Sequence, residues 1–512
     1  MLRTGCRPEQ NGGAVALAVL TVCWLGLVLV RATGPTDLAD NAQHRQAAYV
    51  ADLFYNGAWL YQRDVDGSFQ SKPPLYNWLA GAVAVLLGRL DELTLYAPCA
   101  LACLATAMVT FLACRRYGLS DQVALLAALA VFASPLGVKL AWLARTDTLF
   151  ACLTWCTALA GLAASSGRAT WWGFWLLAAL ATLTKGPLAV LFAGVGCTLF
   201  VWLERQHVRL TRRGLLGGFL LYAAVCLGWF VPAVLAAGPG LAQKLLGEEL
   251  VQHALFGVER RVPFYGFYKP PLSFLARFLP WSIAAVAVLI AWRRRPPENA
   301  FVRFCAYYAF GGLALLMVSP HHRADHLAPL LPAAAVVAAW HLAEGPLRRR
   351  QRQGLALALA VVLCWAVAWL HYHLIRPHQP GVQRSVQLQR IARWGRQQRP
   401  DAQVIPFRAG GAYHFYAGYH RSDVDLRPLL EALGSGHEVY VVTLSPEALM
   451  RELRWVDPSG ITAALLDEPN VGARPAHGVH VLRLRSPDAY AGTPSGPTGS
   501  TKLSFRRWRK RR

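Results

Sequence analysis

Apolar stretches long enough to cross a bilayer recur from the N-terminus to about residue 375. They cover 13–31, 75–88, 94–113, 121–140, 146–165, 171–184, 186–203, 214–236, 273–291, 300–318, 327–344 and 354–374. The first has a basic flank (Arg3, Arg7) and no small-residue cleavage site, so it reads as an uncleaved anchor. Ser134-Pro135 interrupts the 121–147 region, where a further crossing is easily missed. The pattern therefore predicts a polytopic all-α membrane protein of about 11–13 transmembrane helices. Beyond 376 the regime changes. Short strand-like runs (Gln403–Phe407, Glu438–Leu444, Val479–Leu484) alternate with helical ones (Val386–Arg396, Pro446–Arg454), which predicts a small C-terminal α/β domain over 376–486. Residues 487–512, rich in Gly, Ser, Pro and Arg, read as a disordered basic tail.

Composition supports this division. Of 512 residues, 55% are hydrophobic and only 16% charged, and mean hydropathy is +0.31. A soluble domain carries about 25% charged residues. The net charge of +24 would point to nucleic acid in a soluble chain, but here the basic residues sit in short runs between apolar segments: Arg115-Arg116, Arg205–Arg213, Arg293–Arg295 and Arg348–Arg352. That is the positive-inside pattern, with lipid headgroups as counter-charge. It places 114–120, 204–213, 292–299 and 345–353 inside, and 32–74, 237–272, 319–326 and the C-terminal domain outside. Within the first outer loop, 32–74, Ala47, Val50, Ala51, Phe54 and Ala58 fall at helical spacing, which predicts an amphipathic helix over 44–60 lying on the membrane surface. The second large outer loop, 237–272, mixes acidic and basic residues with an aromatic patch, Phe264, Tyr265, Phe267 and Tyr268. The 11 cysteines stand in or beside apolar segments, apart from Cys6, and none forms a CxxC pair; they read as small packing residues.

Four polar constellations interrupt the apolar pattern. Ser71-Lys72-Pro73-Pro74-Leu75-Tyr76 stands at the outer mouth of the second segment; the prolines start a helix and aim Lys72 at the interface, to hold a phosphate or simply to snorkel. Arg145-Thr146-Asp147 opens an apolar span, where a carboxylate is costly, and Arg145 could be no more than its ion partner. Thr184-Lys185-Gly186-Pro187 breaks two segments and puts a lysine on the outer side. In Ser319–His326, His322 and His326 are spaced for a helical metal pair, but a zinc peptidase needs Glu where this chain has Arg323. The cluster better suits Arg323 against an anionic lipid group.

Taken together over residues 13–375, these pieces resemble the membrane glycosyltransferases of the GT-C fold. The nearest branch is the lipid A 4-amino-4-deoxy-arabinose transferase-like proteins, relatives of the protein O-mannosyltransferases. The resemblance rests on Lys72-Pro73-Pro74-Leu75 after a long acidic loop, on Arg145-x-Asp147, and on Leu183-Thr184-Lys185-Gly186-Pro187. It also rests on Pro263-Phe264-Tyr265 followed by Leu279-Pro280-Trp281-Ser282, and on the Arg323–Pro332 stretch. The chain departs from the family pattern at Ala42 in the first-loop acidic pair, at Ser71, at Arg260 and at His326.

The resemblance implies inverting transfer of a hexosyl or pentosyl group from a polyprenyl-phosphate donor to an extracytoplasmic acceptor (a lipid A-like lipid, a cell-envelope glycan or a protein) at a bacterial inner membrane. Asp40 is the implied acid/base residue, with Asp147 second. Lys72, Lys185 and Arg323 are implied to hold the donor phosphate, and Arg145, Arg260, Tyr265 and His326 to contact substrate. Membrane lipids are expected partners and nucleic acid is not. No metal ligand set has convincing spacing, although a divalent cation is compatible with the acidic outer loops. Two other classes stay open on sequence grounds: a secondary transporter, which should show internal symmetry and polar residues at the midplane, and an inactive lipid-binding relative.

Overall fold

The computed structural model describes residues 10–205, 211–252, 265–292, 296–319, 323–343, 365–397, 402–435, 438–456, 462–465 and 478–485, with a few single positions between them. The chain forms two compact units. One comprises Met1–Gly34, Gln70–Val83 and Glu92–Leu374; the other comprises Pro35–Phe69, Ala84–Asp91 and Ile375–Arg512.

The first unit is a helical array. The predicted stretches fall on α1 (Gln10–Ala32), α3 (Leu75–Leu87), α4 (Glu92–Arg116), α5 (Asp121–Phe132) with α6 (Pro135–Leu140), α7 (Asp147–Ser165), α8 (Trp171–Lys185), α9 (Leu188–Leu203) and α10 (Arg212–Ala237). Ser134 makes the expected break: its side chain accepts from the Gly137 amide at 3.0 Å and Pro135 takes the first helical position. At 273–291, one predicted span is instead two helices, Tyr265–Arg277 and Trp281–Ala291, which meet at the cis Leu279–Pro280 bond. Pro280 has no N–H to continue the helical ladder. The 327–344 stretch begins as a 3-10 helix, Ala324–Leu330, before the α-helix Leu331–Ala343. Among the described residues, six helices are long and apolar enough to cross a membrane: those ending at Ala32, Arg116, Ser165, Ala237, Val318 and Ala343. The other apolar helices are shorter.

Small side chains let these helices approach closely. Ala333, Ala334, Ala335, Ala338 and Ala339 are all fully buried, and their helix packs on α5 and on Trp281–Ala291. Trp281 donates its indole N–H to the Ala133 carbonyl at 2.6 Å. α7 packs on both α8 and α9, and α9 on the helix Ala300–Val318.

The second unit holds a four-stranded sheet in the order β1-β2-β4-β3, with β1 Ala402–Phe407, β2 Glu438–Thr443, β3 Thr462–Leu465 and β4 His480–Arg485. β1 and β2 are parallel, as a connection through the helices Gly411–Ala417 and Arg427–Gly434 allows; β2–β4 and β3–β4 are antiparallel. Phe407, Leu429, Val439, Val441, Leu449 and Leu482 form its core.

The first-loop helix is corrected in its setting. α2 (Asn41–Asn56) exists, but Ala47, Val50 and Ala51 are wholly buried and the helix packs on Gly411–Ala417, so its apolar face is spent inside the protein rather than on a membrane surface. The sequence reading kept loop 32–74 with the membrane part, whereas compactness joins 35–69 to the C-terminal part. Arg376 grips Asp37 with two bonds, of 3.0 and 2.5 Å, within this unit.

Candidate active site

Five chain segments of the first unit, around residues 72, 139–147, 185, 249 and 325, contribute paired charges to one site. The bend between α6 and α7 carries its centre. Thr148 donates to the Leu140 carbonyl at 2.7 Å, Cys99 Sγ lies 3.0 Å from the Arg145 carbonyl, and Tyr96 stacks on Trp142, so residues 140–148 are fixed and buried. Asp147 opens α7, where a helix N-terminus favours a carboxylate. Lys185 closes α8, where the C-terminus favours a cation, and Gly186 takes a positive φ of 98° to release the chain toward α9. Because α7 and α8 pack together, with Asp147 first in one and Lys185 last in the other, the two charges meet at one end of the pair.

Asp147, only 3% exposed, is ion-paired to Lys185 and to Arg145 Nε at 3.2 Å. Arg145 reaches on to Asp325 at 2.8 Å, and Asp325 also holds Lys139 Nζ at 2.6 Å. The order is Lys139, Asp325, Arg145, Asp147, Lys185. Lys72, set just before Pro73-Pro74 and α3, pairs with Glu249 at 2.6 Å and raises the positive potential at Lys185. Among the described residues, four cations thus face three carboxylates. Burial grades outward: the Arg145, Asp147 and Asp325 side chains are at most a tenth exposed, while those of Lys72 and Lys139 are about a third exposed. Buried charges persist only when paired in this way, and the extra cation is what an anionic ligand would meet.

The structure therefore brings together Lys72, Arg145, Asp147 and Lys185, with His326 half-buried beside Asp325 on the 3-10 helix. Arg323 precedes that helix and is exposed; among the described residues its guanidinium has no ion pair. Asp40 belongs to the other unit, where its carboxylate caps α2 by accepting from the Gln43 amide at 2.9 Å. Arg260 lies outside the described residues, as do His321 and His322; Tyr265 begins a helix, and its side chain is likewise outside. The sequence reading missed Lys139, Asp325 and Glu249 as members of the run. Local signals were a lysine inside the apolar stretch 121–140 and the acidic residues of 319–326 and 237–272.

A divalent cation does not fit this donor set. Asp147 and Asp325 are each already held by two cations, and among the described residues no three His, Cys, Asp or Glu side chains converge as ligands.

The architecture, a multi-helix unit and a small mixed sheet in a second unit, is of the GT-C fold class. Within that class, residues 71–234 match the family model of dolichyl-phosphate-mannose-protein mannosyltransferase. The fold is shared with ArnT from Cupriavidus metallidurans bound to undecaprenyl phosphate: TM-score 0.67 at 17% identity, covering 96% of this chain and 100% of that one. The apo form of the same ArnT gives 0.66 at 16% identity, over 94% and 99%. No curated protein matches the sequence.

Proposed function

We propose that this protein transfers a glycosyl group, with inversion, from a polyprenyl-phosphate-linked donor to an acceptor on the extracytoplasmic side of the membrane. The observation that carries this reading is the cation excess at Lys72, Lys139, Arg145 and Lys185. The acceptor oxygen attacks the anomeric carbon, the bond from that carbon to the phosphate oxygen breaks, and its electron pair stays on the phosphate. A diester with one negative charge becomes a monoester carrying between about 1.5 and 2. Charge develops on the leaving group, so fixed cations aimed at it lower the barrier. Lys72, Lys185 and Arg323 are assigned to the phosphate. Asp147 fixes the direction of Lys185 and Arg145. The proton of the acceptor hydroxyl needs a base, a role for which the sequence points to Asp40.

The side of the membrane is supported by the helix ends. Asp147 stands at the start of α7 and Lys185 at the end of α8, whereas the basic Arg205 follows the far end of α9, which begins three residues after Lys185. ArnT is described bound to undecaprenyl phosphate, which makes that lipid the natural first probe.

The test is thermal unfolding of the whole protein in mild detergent with and without undecaprenyl phosphate. A ligand at about 100 times its Kd adds about 2.7 kcal/mol of stability. The wild type should be stabilised, and Lys72→Ala should lose most of that gain. A well-folded wild type that shows no stabilisation overturns the reading. Release of polyprenyl phosphate from synthetic polyprenyl-phosphate hexoses and pentoses then identifies the sugar.

A further inference from the structure

Lys72 already holds an anion. Its Nζ is 2.6 Å from Glu249 Oε2, the distance a phosphate oxygen would take from the same ammonium. The Glu249 side chain is 14% exposed, so this is a largely enclosed contact, not a loose surface pair. A carboxylate and a phosphate held beside one ammonium repel each other, so the two compete for Lys72.

The two partners are mounted differently. Lys72 is followed by Pro73-Pro74 and the start of α3, whose Trp78 amide bonds the Pro74 carbonyl at 2.9 Å, so its backbone is fixed. Glu249 rides on a π-helical segment, Gln243–Gln252, entered through a short helix whose cap, Gly238, has a φ of 85°. π-Helical turns are rare and frequently stand at functional sites. The neighbouring Glu248 is tied locally to Lys244 at 2.5 Å, four residues away, leaving Glu249 as the carboxylate that reaches Lys72.

We propose that Glu249 is the resident carboxylate that Lys72 exchanges for the donor phosphate, and that it thereby sets headgroup specificity. Only a lipid bearing a phosphate competes for Lys72, and its binding releases Glu249 together with the 243–252 segment. The proposal rests on the donor reading above.

Three measurements decide it. Glu249→Gln keeps the shape and removes the charge, so its affinity for undecaprenyl phosphate should rise about tenfold over wild type, within the usual range for coupled sites. In the Lys72→Ala background the same change should give no gain, because the competition is for that lysine. In the wild type, undecaprenyl phosphate should speed amide exchange across 243–252. Undecaprenol should produce none of these effects, and inorganic phosphate should compete weakly, separating a lipid headgroup from a free anion. Equal or weaker binding of undecaprenyl phosphate by Glu249→Gln, with wild type binding well, overturns the exchange and leaves the donor reading intact. No binding by wild type overturns the donor reading itself. Should Glu249→Gln unfold, amide exchange in the wild type decides alone: unchanged or slower exchange over 243–252 overturns the proposal.

Discussion

Asp147 in the first unit and His414 in the second are both sealed from solvent, at 3% and 0% exposure, but they are buried in opposite electrostatic states. Asp147 lies between Lys185 and Arg145 and keeps its charge through them. Among the described residues His414 has no hydrogen-bond partner on either ring nitrogen; Asp423 is 3.9 Å away, and the rings of Tyr413, Tyr419 and His420 surround it. Burial, reinforced by the nearby His420 and Arg421, pushes its pKa down to about 3. Burial also lowers His420 and raises Asp423, and it lifts Asp64 to about 6. The first unit thus stores charge and the second suppresses it. A store of paired charge with one cation in excess can bind an anion; a neutral polar core is bound to its pH.

The sharpest way to break the comparison is Asp147→Asn. It leaves Lys185 a buried cation without its carboxylate and Arg145 with Asp325 alone, and should cost about 3–5 kcal/mol of stability in detergent unfolding. Adding Lys185→Met should restore much of that stability without restoring binding of undecaprenyl phosphate. An Asp147→Asn protein as stable as wild type would show the run to be far more hydrated than its burial implies.

His414→Phe sharpens the other half. The native pKa of His414 lies below its ordinary 6.5, so the unfolded chain takes up the proton first. His414 therefore weakens the native state as pH falls from about 6.5 toward 3. Asp64 acts in the opposite sense: with its native pKa raised from 3.8 to about 6, acidification through that window favours the folded state. Melting temperatures at pH 7 and 4.5 separate the two. Wild type should lose about 2–3 kcal/mol more than His414→Phe over that interval, at about 1.4 kcal/mol per pKa unit. Parallel losses in the two proteins would mean that His414 is not titrating from a buried neutral state.

The smallest effect on stability is expected at Asp40. Asparagine caps a helix about as well as aspartate, so Asp40→Asn should change stability by less than about 0.5 kcal/mol. If Asp40 is also the base, transfer should fall by about 10²–10⁴ with undecaprenyl phosphate binding unchanged. Full transfer by Asp40→Asn would return it to a purely capping role.

What the sequence made legible were features carried by adjacent residues: the Pro73-Pro74 helix start, the Ser134-Pro135 break, and the Lys185-Gly186 helix end. It could not show that Asp325 belongs with Arg145, 180 residues away, because periodicity reports on one element at a time. For the same reason α2 was found as a helix but given the wrong neighbour: spacing reveals an apolar face, not what covers it. β3 was missed because Thr-Ala-Ala-Leu has little strand character.

The order of synthesis gives the charged run a history. Lys139 and Arg145 precede Asp325 by 186 and 180 residues, while Asp147 and Lys185 are only 38 apart. At about 5–20 residues per second, the near pair can close within about 2–8 s, but the far carboxylate follows after about 9–37 s. During that interval Lys139 stands without its carboxylate and Arg145 has Asp147 alone. Insertion of the 324–343 helix is therefore the moment at which the run gains its second shared counter-ion.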